Sequence, residues 1–361
     1  MAIVVFILVL GVLVLVHEWG HFFAARKFGI RVDEFGFGIP PRLWGKKIGA
    51  TLYSLNLLPI GGFVKIYGES GAGAGERESF ATHPVWHRVI IILAGVFMNL
   101  VLAWALFSLG HIIGIPAVAG EGVAAGTTHV TIIAVAPGSP AANAKLAFGD
   151  IVSRISAGGD SITPQTASEL IDFVSAHRGG LIQLAIRHDV SSDVPAKIIE
   201  IQSRANPPAG EGPLGVALQD IGILRSPWYL APWRGLESVW LSIQRTIEAF
   251  ASVFQSIATS HAVPEGVSGP LGLYVLTGEV QRLGVSYFLQ FVALLSVNLA
   301  ILNAVPFPAL DGGRVLFLII EKIRGRPVLI SYEQAAHAIG FVLLLILILI
   351  ISYRDLHRFF L

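Results

Sequence analysis

Apolar residues run almost unbroken from Met1 to Val16, and the run resumes through Phe22, Phe23, Ala24 and Ala25 before Arg26 and Lys27. A helix needs about 20 largely apolar residues to cross a bilayer. Four segments meet that demand, at about residues 2–25, Val89–Ile115, Tyr287–Val305 and Ala335–Ser352. The last contains Phe341–Ile351 without a polar side chain. The pattern predicts a polytopic α-helical membrane protein of about four transmembrane helices. The first run lacks a basic leader and a small-residue cleavage site, so it is expected to be retained rather than removed as a signal peptide.

Between the spans the pattern changes. Residues 31–67 alternate apolar and polar positions with Gly and Pro breaks. Thr51–Leu57 and Phe63–Tyr67, joined at Pro59-Ile60-Gly61-Gly62, read as a β-hairpin. It is apolar for a loop. It either dips beside the spans, where protein or water must satisfy its backbone, or forms a small cytosolic sheet. Residues 70–79, rich in Gly, Ala and Glu, read as a mobile loop.

Residues 120–222 read as one inserted β-rich domain. Strands are expected at Val130–Ala136, Ile151–Ile155, Ile182–Arg187 and Lys197–Ile201, and helices at Pro140–Lys145 and Thr166–His177. A Pro- and Gly-rich stretch at 206–213 loosens the link outward. From Leu236 to Phe254, Val239, Trp240, Ile243, Ile247, Phe250 and Phe254 recur at helical spacing. That predicts an amphipathic helix, lying on the outer membrane surface or against the inserted domain, with packing into a core as the equal alternative. The stretch VSGPLGLYVL at 267–276 is expected to break the chain before the third span. The organisation is therefore a membrane segment at 1–115, the inserted domain at 120–222, a helix and connector at 223–286, and a second membrane segment at 287–361.

Composition agrees with this division. Of 361 residues 54% are hydrophobic and 14% charged, which leaves room for a soluble module and no more. The net charge of +1 gives no reason to expect nucleic acid. Absence of cysteine excludes disulfides and thiolate metal ligands. Positive charge sets the orientation. Arg26, Lys27, Arg31, Arg42, Lys46, Lys47, Lys65, Arg77 and Arg88 follow the first span, and Arg314, Lys322, Arg324 and Arg326 follow the third. Both loops are expected in the cytoplasm, with residues 116–286 and the termini outside.

One short sequence stands out against this apolar background. Residues 17–21 read His-Glu-Trp-Gly-His, an HExxH motif inside the first span. Ionisable groups cost several kcal/mol at bilayer depth, so they are functional candidates there. Helical geometry puts His17 and His21 on one face, one turn apart, where both imidazoles reach one ion. Glu18 is offset and free to act as general base on water at that ion. A chance HExxH match is common in soluble helices but poorly explained within a lipid span. Such a site needs a third protein ligand and an open position. The third span ends in NLAILNAVPFPALDGGR, and Asp311 in this irregular segment is the best third ligand. His111, His261 and His337 read as surface or satisfied histidines.

Together these features resemble the site-2 protease family of intramembrane zinc metalloproteases, of the bacterial regulator-of-sigma-E protease type. The resemblance rests on HExxH in the first span, NxxPxPxLDGG after the third, and a module between spans two and three whose PGSPAANAKLAFGDIVSRISAG stretch is similar to a PDZ domain. One departure is Lys145, where such modules usually carry Gly. Another is the presence of one module where some relatives carry two. The resemblance implies Zn2+ held by His17, His21 and Asp311, with Glu18 as the base. It implies Asn303 near the substrate or the oxyanion. The stretch AGVFMN matches a Gly-xxx-Asn pattern that implicates Asn99 in gripping substrate backbone.

The expected activity is cleavage of a transmembrane segment in a single-span protein, such as an anti-sigma-factor-like substrate already trimmed outside. The expected place is the inner membrane, with the active site toward the cytoplasm. The PDZ-like domain would filter substrates by size or read a trimmed end. A membrane metal transporter or sensor is one alternative, and a non-catalytic PDZ scaffold is another. The charge argument is tested with reporter fusions: one in the 70–79 loop and one near Arg324 are expected to report cytoplasm, and one at 157–163 the outside. An outward-facing 70–79 loop reverses the orientation.

Overall fold

The computed structural model describes residues 2–69, 73, 75–120, 128–187, 196–208, 210–260 and 268–359. In chain order the first elements are α1 (Ala2–Lys27), β1 (Val32–Ile48), β2 (Thr51–Ile66) and α2 (Val85–Ile113). There follow β3 (Ile115–Val118), β4 (His129–Val135), α3 (Pro140–Asn143), β5 (Ile151–Ala157), β6 (Asp160–Ile162), α4 (Ala167–Ala176), β7 (Leu181–Arg187), β8 (Lys197–Gln202) and β9 (Val216–Leu224). The chain ends in α5 (Ala231–Ser260), α6 (Pro270–Arg282), α7 (Val285–Ala304), α8 (Asp311–Arg324) and α9 (Ile330–Phe359). They form two compact units, one of Met1–Leu109, Pro232–Gly278 and Leu289–Leu361, the other of Gly110–Ala231 and Glu279–Phe288.

In the helical unit, α1, α2, α7 and the Ile330–His357 part of α9 are long and apolar enough to cross a membrane. Only 22–28% of the most apolar window of the first three is buried by protein, and 6% of that of α9. Their outer faces are hydrocarbon without a protein partner, as helices in lipid require. Gly20 brings α1 and α2 into backbone contact, because a Cβ there would overlap the Ala94 carbonyl. Phe22, Ala25, Ile30, Val32, Ile66, Ile91, Ile92 and Leu318 form a buried cluster joining α1, the strands, α2 and α8.

The two alternatives for the amphipathic segment resolve by face. Val239 of α5 packs with Ala103, Phe107, Ala293 and Val297, and Thr246 donates to Asn298 at 2.8 Å. That face belongs to the bundle core. A second stripe, Trp233, Leu236, Trp240 and Ile247, stays exposed.

The expected hairpin needs correction. Thr51–Leu57 and Phe63–Ile66 are extended, but they do not pair with each other. Arg42–Ile48 folds back on Thr51–Asn56 across the Gly49-Ala50 turn, and Glu34–Phe37 meets β2 twice, at Leu52–Leu55 and at Gly62–Lys65. Thus the start of β1 lies between the two segments. The Pro59–Gly62 turn signal is a bend within β2, and the intervening strand comes from earlier in the chain. The sheet runs beside α1 as far as Gly11, whose added Cβ would lie 3.1 Å from the Phe37 ring. Gly11 is about 24 Å along the helix from Lys27 at about 1.5 Å per residue. Of the 70–79 loop, residues 70–72 and 74 lie outside the described residues.

Two further breaks prove to be helix starts. Pro270 opens α6, where the missing N–H is harmless at a first turn. The buried Asp355 carboxylate accepts from Gly269 N and Gly272 N at 2.9 and 2.8 Å, satisfying amides that a helix start leaves unpaired. The LDG stretch is irregular only through Leu310. Asp311 begins α8.

The other unit is built on an antiparallel sheet in the order β3-β9-β4-β5-β7-β8, with β6 on β5. Its core holds Val130, Ile132, Val152, Ile155, Leu170, Val174, Ile182, Leu184, Ile186, Ile201 and Leu214. Ser139 and Thr166 cap α3 and α4 through their side-chain oxygens. The four expected strands and both helices are present. Strands β3, β6 and β9 were not foreseen, and β9 follows directly on the Pro- and Gly-rich stretch that reads as a link.

Lys145, the residue standing where Gly is usual, has φ +59. A side chain at that φ costs about 1 kcal/mol relative to Gly, and the Lys145 side chain is exposed. Lys145→Gly is therefore expected to stabilise this unit by about 0.5–1 kcal/mol, read as an upward shift in its thermal midpoint. A lowered midpoint contradicts the strain assignment.

Candidate metal centre

Helical spacing delivers the first two donors. His17 and His21 are 6% and 9% exposed, and their Nε2 atoms lie 3.2 Å apart. The third comes from the first residue of α8. Asp311 Oδ2 lies 3.0 Å from His17 Nε2 and 3.3 Å from His21 Nε2. A triangle with these edges suits an ion bound at about 2.0–2.1 Å, since tetrahedral ligand atoms at that radius are about 3.3 Å apart. Two neutral nitrogens and a carboxylate without sulfur are an ordinary donor set for zinc. Among the described residues this is the one group of His, Cys, Asp and Glu placed to hold a metal.

The outer contacts fix the rings. His21 Nδ1 lies 2.9 Å from the Ile91 carbonyl, so it carries the proton and leaves Nε2 as a lone pair. His17 Nδ1 lies 3.2 Å from Asn99 Nδ2, and Asn99 Oδ1 is buried without a partner. In this orientation the amide donates to Nδ1, and Nε2 carries the proton toward Asp311. Ligation needs the opposite tautomer. A half-turn of the Asn99 amide presents Oδ1 to Nδ1–H and frees Nε2. Asn99 can thus serve either state. Its backbone is anchored in turn by Ser296 Oγ, which donates to Asn99 O at 2.7 Å.

Gly95 makes the space. A Cβ there would overlap His21 Nε2 and would lie 2.8 Å from His17 Cε1. Gly312 and Gly313 do the same for the third ligand, since Cβ atoms would overlap the Val305 and Phe307 carbonyls. Pairing of Arg314 with Glu69, and of Arg88 with Glu321, ties α8 to the end of β2 and to α2.

Glu18 is half-buried on the same turn of α1. It faces β2: a Cβ added to Gly62 would lie 3.5 Å from Glu18 Cγ. Asn303 lies in the last turn of α7 and is not among the hydrogen-bond partners of the three donors. His111 ends α2, and His261 is outside the described residues. His337 is the satisfied histidine of the two alternatives, since its Nδ1 accepts from Ala309 N at 2.9 Å.

A family model for peptidase family M50 matches residues 5–347. The chain belongs to that family. A putative zinc metalloprotease of Clostridium perfringens is 30% identical over 357 residues, covering 99% of this chain and 98% of its own. Zinc metalloprotease RasP of Oceanobacillus iheyensis is 28% identical, with 99% of each chain covered. Regulator of sigma-W protease RasP of Bacillus subtilis is 26% identical, again over 99% of each. This M50 chain was legible through HExxH and LDG. Gly95 and His337 escaped because their role lies in contacts with distant residues.

Purified protein is expected to carry about one zinc per chain. Asp311→Ala lowers zinc content sharply, and Gly95→Ala lowers it by crowding the imidazoles. Full zinc retention in Asp311→Ala removes that residue from the site.

Proposed function

We propose that the chain is an intramembrane zinc endopeptidase cleaving the spanning segments of single-span membrane proteins. The observation that carries this reading is Glu18 between two features, the three donors and the Gly62 backbone of β2. A metal transporter or sensor needs further ligand groups along a path, and the described residues offer one. A non-catalytic scaffold leaves Glu18 without a task.

Bound by His17, His21 and Asp311, zinc supplies a Lewis acid for the peptide carbonyl and for water. Glu18 takes the proton of the attacking water and returns it to the leaving amine. Asn303 donates to the developing oxyanion. Asn99 holds the His17 ring rather than the substrate backbone. A substrate helix must unwind, because helical amides are internally bonded. Segment Gly62–Lys65 has β1 on one side and no described strand on the other, so the unwound chain adds there as a strand. The sheet's length along α1 and its exposed Ile39, Leu43, Trp44, Leu55, Leu57 and Leu58 support a place within the bilayer.

The β-rich unit, PDZ-like in this reading, lies outside the inner membrane and screens substrates. Its groove between α4 and β9, lined by Ile171, Val174, Leu214, Val216 and Leu218, suits an apolar chain end. One relative is named for regulating sigma-W, and an anti-sigma-factor-like protein trimmed outside fits this design.

A liposome cleavage assay tests the proposal. Glu18→Gln keeps zinc and loses cleavage, and Asn303→Ala keeps zinc and loses about 10²-fold. A substrate with its outer domain intact is cut at least tenfold more slowly than its trimmed form. Cleavage by Glu18→Gln at the wild-type rate sinks the catalytic assignment, and equal rates on the two substrates sink the filter.

A further inference from the structure

The third donor rests on a strained loop. Asp311 is the first residue of α8, and Leu310 before it gives that helix no side-chain cap. The loop from Val305 to Leu310 turns tightly, with Phe307 N donating to Val305 O at 2.7 Å and Leu310 N to Phe307 O at 3.1 Å. Within it Ala309 has φ +84. A residue with a Cβ holds such a conformation only when its surroundings dictate it.

Those surroundings come from α9. His337 Nδ1 accepts the Ala309 N–H at 2.9 Å. One turn later Gly340 lets α9 touch the loop, since a Cβ there would overlap the Pro308 carbonyl. Accepting at Nδ1 fixes the tautomer of the neutral ring, so its proton is on Nε2. That atom is buried with no hydrogen-bond partner, 4.0 Å from Glu333 Oε1, and the ring sits beside Phe317 of α8 at 5.7 Å. The ring is therefore held on both sides, by the loop it bonds and by the helix that begins with Asp311.

We propose that His337 is a positioning residue: its bond to Ala309 N–H holds the strained loop that aims Asp311 at the two imidazoles. The proposal rests on Asp311 being a ligand. It gives α9, which supplies no donor, a part in metal affinity.

The experiment uses the full-length protein in detergent with three variants at position 337. Zinc affinity is measured by chelator competition, and hydrogen exchange of the 305–313 segment is measured in the zinc-free protein. His337→Ala is expected to weaken zinc binding 10–100-fold, the range for outer-shell partners, and to speed exchange at Ala309 at least tenfold. His337→Asn places an acceptor oxygen near the Nδ1 position and keeps affinity within about threefold. His337→Gln, whose oxygen reaches toward the Nε2 position instead, behaves like Ala. Ala309→Gly removes the strain, so His337→Ala in that background loses at most a few-fold. Unchanged exchange at Ala309 in His337→Ala overturns the proposal, as does Asn behaving like Ala in a folded protein. Faster exchange with unchanged zinc affinity overturns it as well, whereas full zinc retention in Asp311→Ala overturns the reading of Asp311 as a ligand on which it rests.

Discussion

Two imidazoles and a carboxylate in a layer of hydrocarbon must satisfy one another or bind a cation, and most of the helical unit serves that requirement. Polar side chains at that depth cost too much to leave unpaired. The cost accounts for the backbone contact of α1 and α2 at Gly20, which brings the Ile91 carbonyl to His21 and the Asn99 amide to His17. It accounts for the space at Gly95. On the proposed placement of the site within the bilayer, it also accounts for the packing of protein around an irregular loop. In that loop Gly312 and Gly313 allow the turn, and α9 covers the strained Ala309.

The sheet follows from the same constraint. On the proposed placement of the sheet within the bilayer, its amides cannot be satisfied by lipid, and β1 and β2 pair along most of their length. Among the described residues two outer edges are left, at Arg42–Ile48 and at Gly62–Lys65, and Glu18 lies next to the second. In the proposed function, a chain that must be unwound before it is cut finds at Gly62–Lys65 an unpaired backbone edge beside Glu18. The proposed chemistry and the proposed grip thus share one short stretch of α1.

Local spacing made much of this readable in the sequence. His17, Glu18 and His21 are fixed by one helix turn, and the four spans by hydropathy. Asp311 could be picked because a carboxylate among Pro and Gly after an apolar run has few structural uses. The rest depended on contacts between residues far apart in the chain. The order of the sheet is not legible from the turn signal, because Glu34–Phe37 inserts between the two segments that the signal joins. Gly95 is informative only once the imidazoles are seen against it. His337 looked like an ordinary histidine near a helix start because its partner, Ala309, is on the other side of α8 in sequence. Strand β9 was hidden by the Pro- and Gly-rich stretch before it, and Asp355 by its place near the end of a long apolar helix. Lys145 shows the converse: the departure from Gly was visible, and its consequence, a left-handed backbone carrying a side chain, needed the structure.

X-ray absorption at the zinc edge of the purified protein tests the central claim most directly, because it reads the ligands themselves. The account predicts a four-coordinate ion with two imidazoles and oxygen donors at about 2.0–2.1 Å. The absence of cysteine already excludes thiolate. Asp311→Asn should alter the oxygen shell and leave the imidazole signal intact. A spectrum with three or more imidazoles, or with six oxygens and none, contradicts the assignment of His17, His21 and Asp311 as the metal centre.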